Sequence, residues 1–258
     1  MKTHDLVITT YNSYKYLKNI YYFIKQNKSI YTNIICVDDS SDDNFFLKLK
    51  DKLKEFEEIK ILRNKYNLGP SGSRNVGIKF SSSEYISFHD PDDYVQNGRG
   101  EYINKIISEY RPNILFHDFT LVDLPRKIKY SNKFEIHNGY LYLFKSIYVT
   151  PAFTCKREIL INENCYDPKL RYAEDLDLYI RLKNKYKFFF IKDKLVKITN
   201  RKDRKLDPNH LSSNSSLMRK SINSILIKNV FKFRLESVIF LFAFFVNKLK
   251  RFIEIVFL

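Results

Sequence analysis

Apolar residues in this chain gather in short runs, separated by longer stretches where they recur every three or four positions. The runs are Leu6-Val7-Ile8, Ile34-Ile35-Cys36-Val37, Ile59-Lys60-Ile61-Leu62 and Tyr85 to Phe88. Between the first two, Leu17, Ile20, Tyr21 and Ile24 keep helical spacing; between the next two, Phe46, Leu49, Leu53 and Phe56 do the same. Val76 to Phe80 predicts a short helix before the fourth run. Strands of continuous apolar character are buried on both faces, and their alternation with amphipathic helices predicts an α/β fold with a mostly parallel sheet. In such sheets ligands bind beyond the carboxyl ends of the strands.

From about Glu101 the pattern loosens. Ile114-Leu115-Phe116 predicts a strand, 127–138 is polar and irregular, Phe153-Thr154-Cys155 leads into a short helix near Glu158-Ile159-Leu160, and Asp175 to Leu182 reads as a helix. The stretch 200–216 is rich in Asn, Ser, Asp and basic residues, which marks a loop or linker. Beyond it, Ile222, Ile225, Leu226, Val230 and Phe233 fall on one helical face, and Val238 to Val246 is continuously apolar with Arg234, Lys248, Lys250 and Arg251 at its flanks. A spanning helix needs about 20 apolar residues, so this run is too short to cross a bilayer. Its Phe and Lys density fits a helix lying in an anionic membrane interface better than a helix pair packed on the core. The expected division is 1–110 and 111–211 as two parts of one α/β domain, and 212–258 as basic amphipathic helices.

Composition narrows the partners. Lys and Arg total 45 against 29 acids, a formal charge of +16, which favours anionic ligands: nucleic acid, anionic lipid or phosphorylated metabolites. Three widely spaced cysteines argue against a zinc site or a disulfide framework and for a reducing cytosol. No signal peptide is read at the start, where Met1 to Asp5 runs straight into a strand.

Against that basic background, acids collect at strand ends. Asp90-Pro91-Asp92-Asp93 follows the fourth run; alone it is also turn chemistry, but carboxylates spaced by one residue suit Mg²⁺ or Mn²⁺ with substrate phosphates completing the shell. Asp38-Asp39 fits either a helix N-cap for the segment starting near Ser41 or a carboxylate at the sheet's switch point. Gly69 to Asn75 is a loop and helix start whose glycines admit a close ligand, with Arg74 able to pair with a phosphate or an acid. Glu174-Asp175 either favours a helix N-terminus or supplies a carboxylate to deprotonate a hydroxyl. His89 reads as a structural histidine, and His210 as a candidate metal or phosphate ligand.

Taken in order, these pieces resemble glycosyltransferase family 2, whose fold is GT-A. The family's Val-Ile-x-x-Tyr-Asn strand is matched by Val7 to Asn12, and its Val-Asp-Asp-Gly-Ser turn by Val37 to Ser41 with Ser40 in place of Gly. Its Asn-x-Gly-x-x-x-Ala-Arg-Asn-x-Gly segment is matched by Asn67 to Gly77 with Ser73 in place of Ala, both small-for-small exchanges. Asp90 to Asp93 matches its metal motif and Glu174-Asp175 its acidic pair, so the likeness covers roughly 4–210.

The resemblance implies an inverting transferase with a UDP-sugar donor, galactose first, and a Mn²⁺ or Mg²⁺ cofactor. It implies that Thr10, Tyr11, Asn12 and Asp39 bracket uracil and ribose, and that Arg74 and Asp90 lie near the donor. Asp92, with Asp93, would hold the metal on the diphosphate. Asp175 would be the general base and Glu174 would position the acceptor. Arg201 and His210 would sit in a loop closing on the diphosphate, His210 as a further metal ligand. Processive relatives carry Gln-x-x-Arg-Trp and spanning helices; this chain has no Trp, so one sugar per encounter is expected. A basic C-terminus suits a lipid-diphosphate-linked acceptor at the inner face of a bacterial cytoplasmic membrane, as in O-antigen, lipopolysaccharide or capsule assembly. Nucleic-acid binding and a catalytically silent scaffold are the competing readings; the clustered acids argue against both.

Overall fold

The computed structural model describes residues 3–121, 133–137, 148–183, 185–198 and 214–232. The first half builds the parallel part of the sheet: β1 (His4–Thr10), α1 (Leu17–Asn27), β2 (Ile34–Asp38), α2 (Asp43–Leu53), β3 (Ile59–Arg63), α3 (Gly69–Phe80) and β4 (Tyr85–His89). β5 (Tyr94–Val95), α4 (Arg99–Tyr110), β6 (Ile114–Thr120), β7 (Phe134–His137), β8 (Phe153–Lys156), α5 (Arg157–Asn162), α6 (Glu174–Lys183), β9 (Phe188–Lys197) and α7 (Ser215–Lys232) follow. Strand order is β3-β2-β1-β4-β8-β6-β9-β5, with β7 paired to β9.

β1 to β4 pair in parallel, as their unbroken apolar runs require. Beyond β4 the sheet turns mixed, because β8 enters antiparallel to both β4 and β6. Alternate side chains feed two cores. Val7, Ile35, Val37, Phe88, Phe116 and Phe153 face α3, α5 and α6, whereas Leu6, Ile8, Ile34 and Cys36 face α1 and α2. The core residue at the start of α2 is Phe45, not Phe46; Phe46 lies half-buried, with the Arg63 guanidinium 4.4 Å from its ring centre.

The helix expected from Val76 begins earlier, at Gly69, so the glycine-rich loop forms its first turns. Gly77 sits where α3 crosses β1: a Cβ there would lie 2.5 Å from a Val7 methyl. Glycine therefore sets how closely the helix approaches the sheet, and hence where Arg74 lies.

The C-terminal helix departs from expectation. Ile225 and Leu226 are fully buried in the main core, with Met218 and Ile222 packed beside them, and α7 contacts α6. Lys228 reaches Asp177 of α6 at 3.5 Å. The apolar face assigned to a membrane interface is thus occupied by the domain over these residues. Burying two such side chains contributes about 3–6 kcal/mol, so the first part of 212–258 belongs to the fold. The side chains of Val230 and Phe233, and the run Val238 to Val246, lie outside the described residues. Among the described residues no helix is long and apolar enough to cross a membrane.

Candidate functional site

The parallel ladder brings Thr10 of β1 opposite Asp38 of β2, and Asp38 opposite Arg63 of β3. Here the chain leaves the sheet through strained turns, with Asn12 at φ +46° and Ser40 at φ +62°. A cavity of about 380 Å³ opens at this edge. Thr10, Tyr11, Asn12, Asp39, Arg74, Asp90, Asp92 and Glu174 all line it, although they come from five separate parts of the chain.

The two neighbouring aspartates divide their work. Asp38 is fully buried and structural: its carboxylate accepts from Ser41 N at 3.2 Å and from the Ser41 hydroxyl, with Arg63 Nε at 3.4 Å. Burial pushes its carboxyl above the ordinary range, and the Ser41 hydrogen bonds oppose that. Neither aspartate caps α2; Asp42 does, accepting from Phe45 N at 2.8 Å. Asp39 instead holds the start of α3, accepting from Leu68 N, Gly69 N and Asn64 Nδ2, each at 2.8 Å. Asn64 Nδ2 also donates to Ser73 Oγ at 2.9 Å. The hydroxyl of Ser73 therefore helps fix the residue that fixes Asp39, so this exchange for Ala adds a hydrogen bond.

Thr10 keeps its hydroxyl buried at the cavity wall, with no partner among the described residues. A buried hydroxyl without a partner is costly, which marks a place where a ligand's polar group fits. Asn12 points its side chain back to the protein, accepting from Asp42 N at 3.0 Å, while half-exposed Tyr11 faces the cavity.

Arg74 resolves the open choice between phosphate and acid. Its buried guanidinium donates to Glu174 at 2.6 Å and to Asp90 at 3.0 Å, and lies 5.5 Å from the Tyr166 ring centre. It ties α3 to the head of α6 and to the end of β4. Ala173, held at φ +54° directly before Glu174, turns the chain into that position. Asp175 follows at the first turn of α6, with Leu176 N donating to its Oδ1 at 2.8 Å. Burial first, then the Glu174 carboxylate, raises the Asp175 carboxyl to about 7, against the pull of Leu176 N–H and Arg74. A carboxylate of that basicity is suited to taking a proton near neutral pH.

At the β4 turn, Asp90 and Asp92 line the cavity, but Asp93 is buried and is not part of the lining. His89 is structural, fully buried and stacked on Phe23 at 3.9 Å. Burial lowers it to about 3, which keeps it neutral. Among the described residues no three His, Cys, Asp or Glu side chains converge on one point. The chemistry of the lining still suits Mg²⁺ or Mn²⁺, which take one or two carboxylates and fill the rest of the shell with water and substrate phosphates. Arg201 and His210 lie outside the described residues.

Sequence reading missed Lys15, Tyr16, Pro70, Arg171, Tyr172 and Met218 as cavity residues. Met218 stands four positions before Ile222 and seven before Ile225, so helical spacing alone places it on the buried face of α7. Arg171 and Tyr172 carry no signal beyond their closeness to Glu174.

The glycosyl transferase family 2 profile matches residues 5–166 of the chain. An uncharacterized glycosyltransferase of Methanocaldococcus jannaschii is 29% identical over 202 residues, 75% of this chain and 69% of that protein. An Escherichia coli UDP-Glc:alpha-D-GlcNAc-diphosphoundecaprenol beta-1,3-glucosyltransferase is 34% identical over 92 residues, and the match covers 34% of each chain. Staphylococcus aureus TarS 1–349 in complex with UDP-GlcNAc superposes with a TM-score of 0.69 at 20% identity, over 87% of this chain and 66% of that one. The longer TarS chain is covered to 39%, so this chain spans only part of several proteins it matches.

Proposed function

The chain belongs to glycosyl transferase family 2, and from that premise we propose that it moves one hexose from a UDP-sugar to a lipid-diphosphate-linked glycan, with inversion. The observation that carries this reading is the acidic end of the cavity. Glu174 lines it and is tied by Arg74 to Asp90 across the site, and Asp175, outside the lining itself, follows Glu174 with a carboxyl raised to about 7. Family membership makes the protein a glycosyltransferase; its donor, acceptor and metal are the proposed part.

In this reading the nucleoside lies at the Thr10, Tyr11 and Asp39 end, where the unpartnered Thr10 hydroxyl takes a hydrogen bond. The sugar points toward Asp90 and Glu174. Asp175 removes the acceptor hydroxyl proton as that oxygen attacks the anomeric carbon, and UDP leaves from the opposite face. Arg74 bridges Glu174 and Asp90 and holds both carboxylates in orientation, which preserves the attack geometry. A Mn²⁺ or Mg²⁺ ion held by Asp92 would neutralise the diphosphate as it departs. The relatives that act on a diphosphoundecaprenol-linked sugar or in teichoic acid synthesis support a surface-glycan acceptor. Residues beyond α7, basic and apolar in sequence, would hold the enzyme at the inner face of the cytoplasmic membrane.

The test is UDP release from UDP-galactose, UDP-glucose and UDP-N-acetylglucosamine, with Mn²⁺ or EDTA, with and without sugar-diphospho-lipid acceptors. Acceptor-stimulated, EDTA-sensitive release from one donor is the expected result. Release that ignores EDTA removes the metal from the proposal. Wild-type protein that neither binds UDP nor releases it refutes the transferase reading.

A further inference from the structure

Three cations line the cavity among the described residues: Lys15, Arg74 and Arg171. Arg74 is committed to Glu174 and Asp90, and the Lys15 ammonium lies 5.6 Å from the Tyr16 ring centre. Arg171 differs. It is exposed, and its guanidinium has no hydrogen-bond or ion-pair partner among the described residues. It stands three positions before Glu174, yet Glu174 pairs with Arg74. Among the described residues this lining cation pairs with none of the lining carboxylates, which leaves its guanidinium for a ligand.

The backbone under Arg171 is fixed. Leu170 O accepts from Ser71 Oγ at 2.6 Å, and Leu170 N donates to Asp167 O at 3.1 Å. Asn75 and Tyr166 exchange two hydrogen bonds, Asn75 Nδ2 to Tyr166 O at 2.8 Å and Tyr166 N to Asn75 Oδ1 at 3.0 Å. The Arg171 stem runs over Gly69, with its Cγ 3.7 Å from where a Cβ would stand. The segment is thus tied to α3 at two places, and its guanidinium is offered on a preorganised support. A guanidinium matches phosphate oxygens in a two-pronged geometry.

The Arg171 stem lies against Gly69, whose N–H is held by Asp39 at the nucleoside end, so the Arg171 side chain stands between the donor and acceptor ends. The donor diphosphate is assigned to the Asp90–Asp92 turn, at the end of β4. Arg171 belongs to the segment that ends in Glu174 and Asp175, where the acceptor hydroxyl gives up its proton. We propose that Arg171 is a specificity-determining residue that binds a phosphate oxyanion of the acceptor, an inference that rests on the transferase reading above. It makes an anionic acceptor a requirement of the site.

The experiment compares wild type, Arg171→Ala and Arg171→Lys in the full chain. Each meets the same sugar as an alkyl diphosphate and as a neutral alkyl glycoside. Arg171→Ala should raise KM for the diphosphate acceptor about 10- to 100-fold, the loss of one charge-assisted hydrogen-bonding group. It should leave KM for the neutral glycoside and the affinity for UDP unchanged, and Arg171→Lys should recover part of the loss. An equal effect on both acceptors, no effect, or a weakened affinity for UDP overturns the assignment, the last by moving Arg171 to the donor. Calorimetric titration of the alkyl diphosphate sugar into UDP-saturated protein reads the same contact without turnover. Arg171-dependent binding with no transfer upholds the anchor and refutes the transferase reading. Efficient transfer that is indifferent to Arg171 does the reverse.

Discussion

Replacing Arg74 by methionine removes the charge that joins three elements of the site. The guanidinium is 7% exposed, and its partners Glu174 and Asp90 are 12% and 25% exposed. Removing one member of a buried ion pair costs about 3–5 kcal/mol, because the remaining charge stays desolvated. Solvent reaches Asp90 and reduces its share, so the expected loss is about 2–4 kcal/mol. Glu174→Gln keeps a hydrogen-bond acceptor and leaves Asp90 to balance Arg74, so it should cost only about 1 kcal/mol. In the double variant no orphaned Glu174 charge remains. It should therefore be less destabilised than the sum of the singles, by about 1–2 kcal/mol. Urea unfolding at near-neutral pH, followed by circular dichroism and tyrosine fluorescence, measures all three, since the chain has no Trp. The comparison is valid if the m-values agree. Additive losses, or a loss below about 0.5 kcal/mol in Arg74→Met, would refute the clamp, since surface-like substitutions fall in that range.

Other outcomes follow from the same geometry. With Asp175 raised to about 7, the acidic limb of kcat/KM should fall tenfold per pH unit below that value, because only the ionised carboxylate accepts a proton. Glu174→Gln removes a raising charge, so the limb should move to lower pH; a limb that stays or moves up contradicts the assignment. Ser40 occupies the left-handed region at φ +62°, where a Cβ costs about 1 kcal/mol, so Ser40→Gly should raise the urea midpoint at constant m. Truncation after Asn214 removes the buried Ile225 and Leu226 and the cavity residue Met218. It should lower stability by about 3–6 kcal/mol and weaken UDP binding, both read by thermal unfolding with and without UDP. A truncated chain with unchanged stability would show that α7 is dispensable.

The sequence by itself determined the parallel half of the sheet. Leu6-Val7-Ile8 and Ile34 to Val37 are apolar at every position, and only a strand covered on both faces uses such a run. It also determined that acids would meet beyond those strands, because parallel register puts every strand end on one edge. It could not tell Asp38 from Asp39, since two adjacent aspartates look alike until Ser41 and the α3 amides choose between them. The same holds for Arg74, whose partners lie 16 and 100 positions away. Periodicity found the apolar face of the C-terminal helix, but an apolar stripe is equally suited to lipid and to protein. The groove beside α6 decided for protein over the residues through Asn229. The cavity's far wall was likewise a tertiary outcome: Met218 and Arg171 reach it only because α7 docks and the segment before Glu174 is hydrogen-bonded to α3. Local sequence carries propensity and pattern, whereas the identity of a side chain's partner depends on which distant elements the packing brings together.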